Sequence, residues 1–308
     1  MLEDVSSEWP RLAAASERLP EVAPPLSCLA LRRASATTVF VFGDGPQPLL
    51  VLKIPGARDR LQNEADALER AEGVGVAPRS LGRVSDAYAQ EALPGEPLRV
   101  EPMTPARSRE ATWSPSHAEL ADALTRLAEA TTVPEVPTEF REPLEGALDV
   151  AGLSPAAKRA AAAAWSDASR LEVAVLRHRD TSPQNCLFEG ERLTGLVDWE
   201  IAYETGAPGF DDWNAAVAFL EHGLGLVRWS EDRVRAAFAA AWGESDFGRE
   251  ARLAGRRSAA AAGVPERMLD SIEISFFARR LLGRVSHPDR FATGAVTAAS
   301  MLEFACAH

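Results

Sequence analysis

The sequence predicts an α+β fold in two units, a small antiparallel-sheet unit followed by a larger, mostly helical one. Three observations predict it. At 308 residues the chain exceeds the roughly 100 to 200 residues of one domain. Its β-rich runs crowd into the first third, and beyond residue 98 the apolar spacing becomes helical and alanine abundant. Pro94, Gly95 and Pro97 punctuate the change, which places a hinge there and divides the chain into residues 1–93 and 94–308.

Taking the elements in order, Ser7 is placed to cap a helix through Leu12, Ala15 and Leu19 that ends in the proline-rich stretch from Pro20 to Pro25. SCLALRR (27–33), TTVFVFG (37–43) and PLLVLKI (48–54) are strands separated by turn residues. Gly43-Asp44-Gly45 lies between two of them and reads as a hairpin turn rather than a phosphate loop. RLQNEADALERAE (60–72) puts Leu61, Ala65 and Leu68 on one helical face, with Glu64 near that face in mid-helix, and DAYAQEAL (86–93) is a further strand.

The second part begins with the amphipathic SHAELADALTRLAEA (116–130). Ser154-Pro155 then supplies a cap and a first-turn proline for a helix to about residue 170. LEVAVL (171–176) and NCLFEGERLTGLVDW (185–199) are apolar runs, the latter a hairpin around Glu189-Gly190. Helices are expected near 212–222, 231–242, 265–282 and 294–306. Internal repeats are absent, and the alanine run at 160–164 is good helix former.

Composition excludes several function classes. A net charge of -12 argues against a phosphate-backbone binder, so nucleic acid is not an expected partner. No apolar run reaches the roughly 18 residues that span a bilayer, so no membrane association is expected. The opening MLEDVSSEWP lacks a basic start and apolar stretch, which makes a cytoplasmic location the expectation. Cys28, Cys186 and Cys306 are too scattered for a disulfide framework or thiolate metal site.

Lysine occurs only at Lys53 and Lys158, with arginine at every other basic position. A lysine inside the apolar run PLLVLKI therefore asks for a physical reason. One is a compact ammonium reaching a phosphate where the wider guanidinium does not fit; the other is a head group that snorkels to solvent. The stretch LRHRDTSPQNCLF (176–188) crowds His178, Asp180 and Asn185 into one turn, and Asp198 ends the next apolar run. Two carboxylates and an amide can converge on one hard cation and one hydroxyl. Asp180 would accept the hydroxyl proton while Asn185 and Asp198 hold Mg²⁺ against a triphosphate.

The order Lys53, Glu64, hinge, His178-x-Asp180-x4-Asn185, Asp198 resembles the aminoglycoside phosphotransferase and choline kinase family, and the resemblance covers nearly the whole chain. That family shows H-G-D-x-x-x-x-N, I-D-W/F-E and G-x-P-x-x-D; the matching segments are HRDTSPQN, VDWE and GAPGFD (206–211). The resemblance implies a bilobal protein-kinase-like fold and phosphoryl transfer from ATP or GTP, with Mg²⁺, to a hydroxyl of a small molecule. It implies that Lys53 contacts the α/β-phosphates and Glu64 orients it, and that the connection containing Ser35 lies over the nucleotide. The backbone from Glu91 to Leu93 would receive the base, with Asp211 bracing the catalytic turn. His178 is either a general base or, as in the family, a packed structural residue. Trp199 and Glu200 are expected to line the cleft, while Trp213, Trp229 and Trp242 pack in the core or a lid.

Two departures matter. Arg179 stands where the family has glycine, giving the H-R-D of protein kinases. Yet G-x-G-x-x-G, D-F-G and A-P-E are all missing and little chain separates Asp198 from Pro208, so a small-molecule kinase fits better than a protein kinase. A nucleotide-binding pseudokinase acting as a scaffold is the competing expectation. The acceptor is open among aminoglycosides, macrolides, nucleosides, amino alcohols and sugars, and the chain is expected to be a monomer or homodimer. Residues 1–100 carry 11 Lys+Arg against 14 Asp+Glu, leaving 22 against 31 beyond, a difference of -9. That surplus gives cationic acceptors a modest preference over neutral ones.

Overall fold

A computed structural model of the chain describes residues 1–32, 36–56, 61–141, 143–144, 148–149, 153–225, 231–285 and 288–307. Its contacts group Met1–Pro97 with Asn185–Ala202 in one compact unit, and Leu98–Gln184 with Tyr203–His308 in another. The architecture is α+β, with an antiparallel sheet near the N-terminus and a helical C-terminal part.

In the first unit helix α1 (Leu2–Ala14) precedes a five-stranded antiparallel sheet. Its apolar stripe of Leu2, Val5, Trp9 and Leu12 begins ahead of Ser7, so the helix starts at Leu2 and Ser7 is not its cap. Instead the Ser7 hydroxyl donates back to the Asp4 carbonyl at 2.8 Å. The strands are β1 (Ser27–Arg32), β2 (Ala36–Phe42), β3 (Pro48–Pro55), β4 (Ser80–Val84) and β5 (Ala87–Glu91), in the order β1-β2-β3-β5-β4. Strand alternation sends Leu50 and Leu52 into the core under α1 with Val39, Val41, Ala87 and Ala89. Lys53, paired with Thr38 on one side and Tyr88 on the other, belongs to the opposite face.

β4 was not expected, because Gly82 and Arg83 break the alternation and the register shifts between Ser80 and Gly82. It is held from outside the strand: the Arg11 guanidinium donates to the carbonyls of Leu81 and Arg83, each at 2.7 Å. Helix α2 (Leu61–Ala71) buries Leu61, Glu64, Ala65 and Leu68. Glu64 falls in its first turn rather than mid-helix. A second sheet joins β6 (Glu96–Pro97) to the hairpin of β8 (Cys186–Glu189) and β9 (Arg192–Leu196). Gly95 makes this junction possible. It sits at φ 103°, and a Cβ there would lie 2.6 Å from the Phe188 carbonyl oxygen.

The second unit is built from helices α3 (Pro115–Ala130), α4 (Pro155–Ala168), α5 (Phe210–Leu224), α6 (Glu231–Ala239), α7 (Asp246–Ala261), α8 (Leu269–Val285) and α9 (Pro288–Ala307). Strands β7 (Val175–Arg177) and β10 (Tyr203–Gly206) form a short antiparallel pair. Ser154 caps α4 as expected, accepting from the Ala157 N–H at 3.2 Å. α5 is buried on nearly every side. α7 was missed although its buried residues Phe247, Gly248, Ala251, Ala254, Gly255, Ser258 and Ala259 share one face, because most of them are small and the helix as a whole is polar and arginine-rich. Those small residues let the Trp213 ring lie directly against Gly255. Trp213 and Trp242 are core residues as expected, whereas Trp229 lies outside the described residues. Trp199 is also fully buried, its indole donating to the Leu196 carbonyl at 2.8 Å, which corrects its expected place on a cleft wall. No helix among the described residues is long and apolar enough to cross a membrane.

Candidate active site

The expected residues fall into two groups, one in each unit. In the first unit, β3 carries Lys53 and α2 carries Glu64. The Lys53 ammonium donates to both carboxylate oxygens of Glu64, at 2.6 and 2.8 Å, and lies 3.4 Å from Asp198 Oδ1. Lys53 is 7% exposed and Glu64 0%, so the snorkelling alternative fails: this ammonium is directed inward. Burial raises the Glu64 carboxyl above the usual carboxylate range, opposed by the positive charge of Lys53.

Asp198 sits just past β9 at φ 71°, a left-handed conformation uncommon outside glycine that aspartate adopts more readily than most residues. The Val197 N–H donates to the Asn185 carbonyl at 2.9 Å, tying the Asp198 segment to Asn185. The Asp198 side chain keeps 30% exposure, so its carboxylate remains accessible. A carboxylate and an amide oxygen are the hard donors Mg²⁺ prefers. Asn185 and Asp198 alone would leave most of the shell of such a cation to water and phosphate oxygens; among the described residues no group of three or more His, Cys, Asp or Glu could hold a metal.

The Glu91 side chain is committed to structure: it accepts from the Ser16 hydroxyl and lies 3.8 Å from Arg18 Nε. The Glu91 N–H donates to Arg79 and the Ala92 N–H to Leu49. Among the described residues no backbone carbonyl takes the Leu93 N–H. Ser35 lies outside the described residues.

In the second unit, residues 178–181 form the candidate catalytic turn and α5 braces it. The Asp211 carboxylate accepts from the N–H groups of His178 (2.6 Å) and Arg179 (3.1 Å), and its carbonyl accepts from the Thr181 hydroxyl (2.9 Å). Asp211 is thus the brace the family pattern implied. His178 is fully buried, and its Nδ1 accepts the Asp180 N–H at 3.2 Å, which fits the packed structural role. Arg179 adopts φ 71°, which explains why glycine is usual there. Its guanidinium lies 3.5 Å from the centroid of the Tyr203 ring.

The sequence did not disclose the ion-pair network beneath this turn. Arg177 donates to Asp211 Oδ1 from Nε (3.1 Å) and Nη2 (2.9 Å), and Nη1 pairs with Glu139, whose other oxygen accepts the Ala207 N–H at 2.9 Å. All three ionic side chains are buried. Glu139 stands 38 residues ahead of Arg177, so no local spacing signals the pair. Gly209, the residue before α5, takes φ 79°, and a Cβ there would meet the Gly255 carbonyl oxygen at 2.5 Å.

Asp212, next to the brace, is fully enclosed, and among the described residues its Oδ1 has no hydrogen-bond partner. Burial pushes its carboxyl up to about 7, against the lowering effect of the Ser258 hydroxyl. A folded-state value above the unfolded one gives stability that is complete below the unfolded pKa and lost as pH rises through the folded pKa. Stability should therefore fall by about 1.4 kcal/mol per pH unit between about pH 4 and 7 from this group. Asp212→Asn should flatten the melting temperature against pH over that range. A variant with the parent's slope would show that Asp212 is not the titrating group.

Comparison with known proteins decides the family. A model of the phosphotransferase enzyme family, APH, matches residues 29–254. The chain belongs to this family. Among solved structures, this phosphotransferase is similar to a protein of Ralstonia eutropha JMP134 named as an aminoglycoside phosphotransferase. That match has 17% identity and a TM-score of 0.54, covering 100% of this chain and 97% of the other. It is also similar to a thermostable mutant of aminoglycoside phosphotransferase APH(4)-Ia, solved with AMP-PNP and hygromycin B. There the identity is 16% and the TM-score 0.50, with 91% and 93% of the two chains covered. At these identities the likeness is one of fold. A sequence comparison with curated proteins gives no match.

Proposed function

We propose that this phosphotransferase moves the γ-phosphate of ATP or GTP to a hydroxyl of a small molecule. The observation that carries the reading is the buried Lys53–Glu64 pair with Asp198 at 3.4 Å from the same ammonium. Lys53 holds the α/β-phosphates and Glu64 fixes its direction. The Glu91 carbonyl and Leu93 N–H receive the base, and Ser35 belongs to the connection over the nucleotide. Asn185 and Asp198 hold Mg²⁺, which when bound neutralises phosphate charge. Asp180 accepts the proton of the attacking hydroxyl, in a turn fixed by Asp211. Residues 1–93 are assigned nucleotide binding, and 94–308 catalysis and acceptor binding.

The structure similar in fold that holds AMP-PNP and hygromycin B supports a nucleotide and a hydroxylated acceptor. The acceptor class spans aminoglycosides, macrolides, nucleosides, amino alcohols and sugars, and an antibiotic acceptor would make this a resistance enzyme. A cytoplasmic location, where ATP and GTP are supplied, and a monomeric or homodimeric state belong to the same proposal. The test is nucleotide consumption with and without Mg²⁺ across an alcohol panel. Tight nucleotide binding with no transfer to any alcohol would favour a scaffold pseudokinase instead.

Lys53→Arg is expected to be nearly as damaging as Lys53→Ala. The ammonium fits between two carboxylate oxygens at 2.6 and 2.8 Å in a site closed to solvent, and a planar guanidinium needs more room. Turnover of the two variants should agree within about tenfold, or 1.4 kcal/mol. An arginine variant that keeps most of its activity would remove Lys53 from the phosphate site.

A further inference from the structure

Strand β5 sorts its side chains onto two faces of the sheet. Ala87 and Ala89 point into the core under α1, and the Glu91 side chain follows them to the Ser16 hydroxyl just past that helix. Tyr88 and Gln90 therefore belong to the Lys53 face. Tyr88 pairs directly with Lys53 and Gln90 with Val51, which puts the Gln90 Cα on the diagonal from Lys53, about 7 to 8 Å away. Gln90 also stands immediately before Glu91 and three residues before Leu93, the two backbone positions assigned to the base. All of them lie within the first unit.

Gln90 is 3% exposed, and among the described residues its Oε1 has no hydrogen-bond partner. An enclosed amide oxygen without a donor costs stability that methionine, of the same length, would not. A ligand that brings a donor to this oxygen offsets the cost. A primary amide offers an acceptor oxygen and a donor nitrogen side by side. Adenine presents the matching pair, the N6 amine as donor and N7 as acceptor, and glutamine is one of the side chains that bond both at once. Guanine carries two acceptors on that edge, O6 and N7, so an acceptor would face the amide oxygen.

We propose that Gln90 reads the N6–N7 edge of adenine, its Oε1 accepting from the amine and its Nε2 donating to N7, and so makes ATP rather than GTP the phosphoryl donor. The proposal rests on the phosphotransferase reading and on the base lying against Glu91 and Leu93. The two sets of contacts do not compete. The Glu91 carbonyl takes the other hydrogen of the N6 amine and the Leu93 N–H donates to N1, which leaves the N7 side of the base to Gln90.

The test titrates the full chain, with Mg²⁺ and no acceptor, against ATP, GTP and 7-deaza-ATP, in which a C–H replaces N7. ATP should bind about tenfold or more tightly than GTP, and about three- to tenfold more tightly than 7-deaza-ATP, the scale of one net hydrogen bond. Gln90→Met should bring ATP and 7-deaza-ATP within about twofold of each other and narrow the ratio of ATP to GTP. Its melting temperature without nucleotide should hold or rise, because an unpaired polar atom is gone. Gln90→Leu serves if the methionine variant does not fold. Ratios unchanged by the substitution overturn the proposal and leave Gln90 a packing residue. A parent that binds GTP or 7-deaza-ATP as tightly as ATP overturns it as well. Failure of the phosphotransferase reading looks different: base-selective binding with no transfer to any alcohol sinks that reading and leaves the base contact of Gln90 standing. A parent that binds none of the three nucleotides overturns both.

Discussion

Asp180→Asn is expected to leave the fold intact and lower turnover by about 10²- to 10⁴-fold, the usual contribution of a positioned general base. The backbone around Asp180 is fixed by the Asp211 carboxylate, the Thr181 hydroxyl and Asn214. An amide of the same shape leaves that frame in place but accepts a proton poorly. The loss should appear in kcat, with nucleotide affinity nearly unchanged, because Lys53 and Glu64 are untouched. Steady-state kinetics beside a nucleotide titration separates the two. Turnover within about threefold of the parent would remove Asp180 from the base role.

Asp211→Ala should destabilise the protein by about 3 to 5 kcal/mol, the cost of breaking a buried ion pair by removing one partner. Three donors lose their acceptor together: the Arg177 guanidinium and the N–H groups of His178 and Arg179. Arg177 keeps Glu139, which limits the damage to its charge but not to the turn. Asp211→Asn retains one oxygen acceptor and should cost less. Urea denaturation of both variants measures the difference. A loss under about 1 kcal/mol for alanine would mean that the turn is held by its other contacts.

The strands carrying Lys53 and Glu91 were legible because alternation and turn residues agree along TTVFVFG and PLLVLKI. The candidate site was legible because its residue types follow one another in a constrained order. Features set by distant partners were not. β4 depends on an arginine in α1, and α7 packs through mostly small side chains in a helix that is polar as a whole. The buried Trp199 was assigned to a cleft wall because position beside Asp198 says nothing of which way an indole points.

The grouping of Asn185–Ala202 with the first 97 residues has a consequence for biosynthesis. At about 5 to 20 residues per second, a ribosome needs several seconds after completing the five-stranded sheet before the β8–β9 hairpin emerges. Until then the Val76 carbonyl lacks the Leu196 N–H it accepts at 2.8 Å, and Glu96 and Pro97 have no partner strand. Lys53 and Glu64 are already paired in that interval, but without Asp198. On the roles proposed above, the nascent chain would acquire the lysine assigned to phosphate before it acquires the carboxylate assigned to the metal, so an unfinished chain should bind nucleotide without activating it.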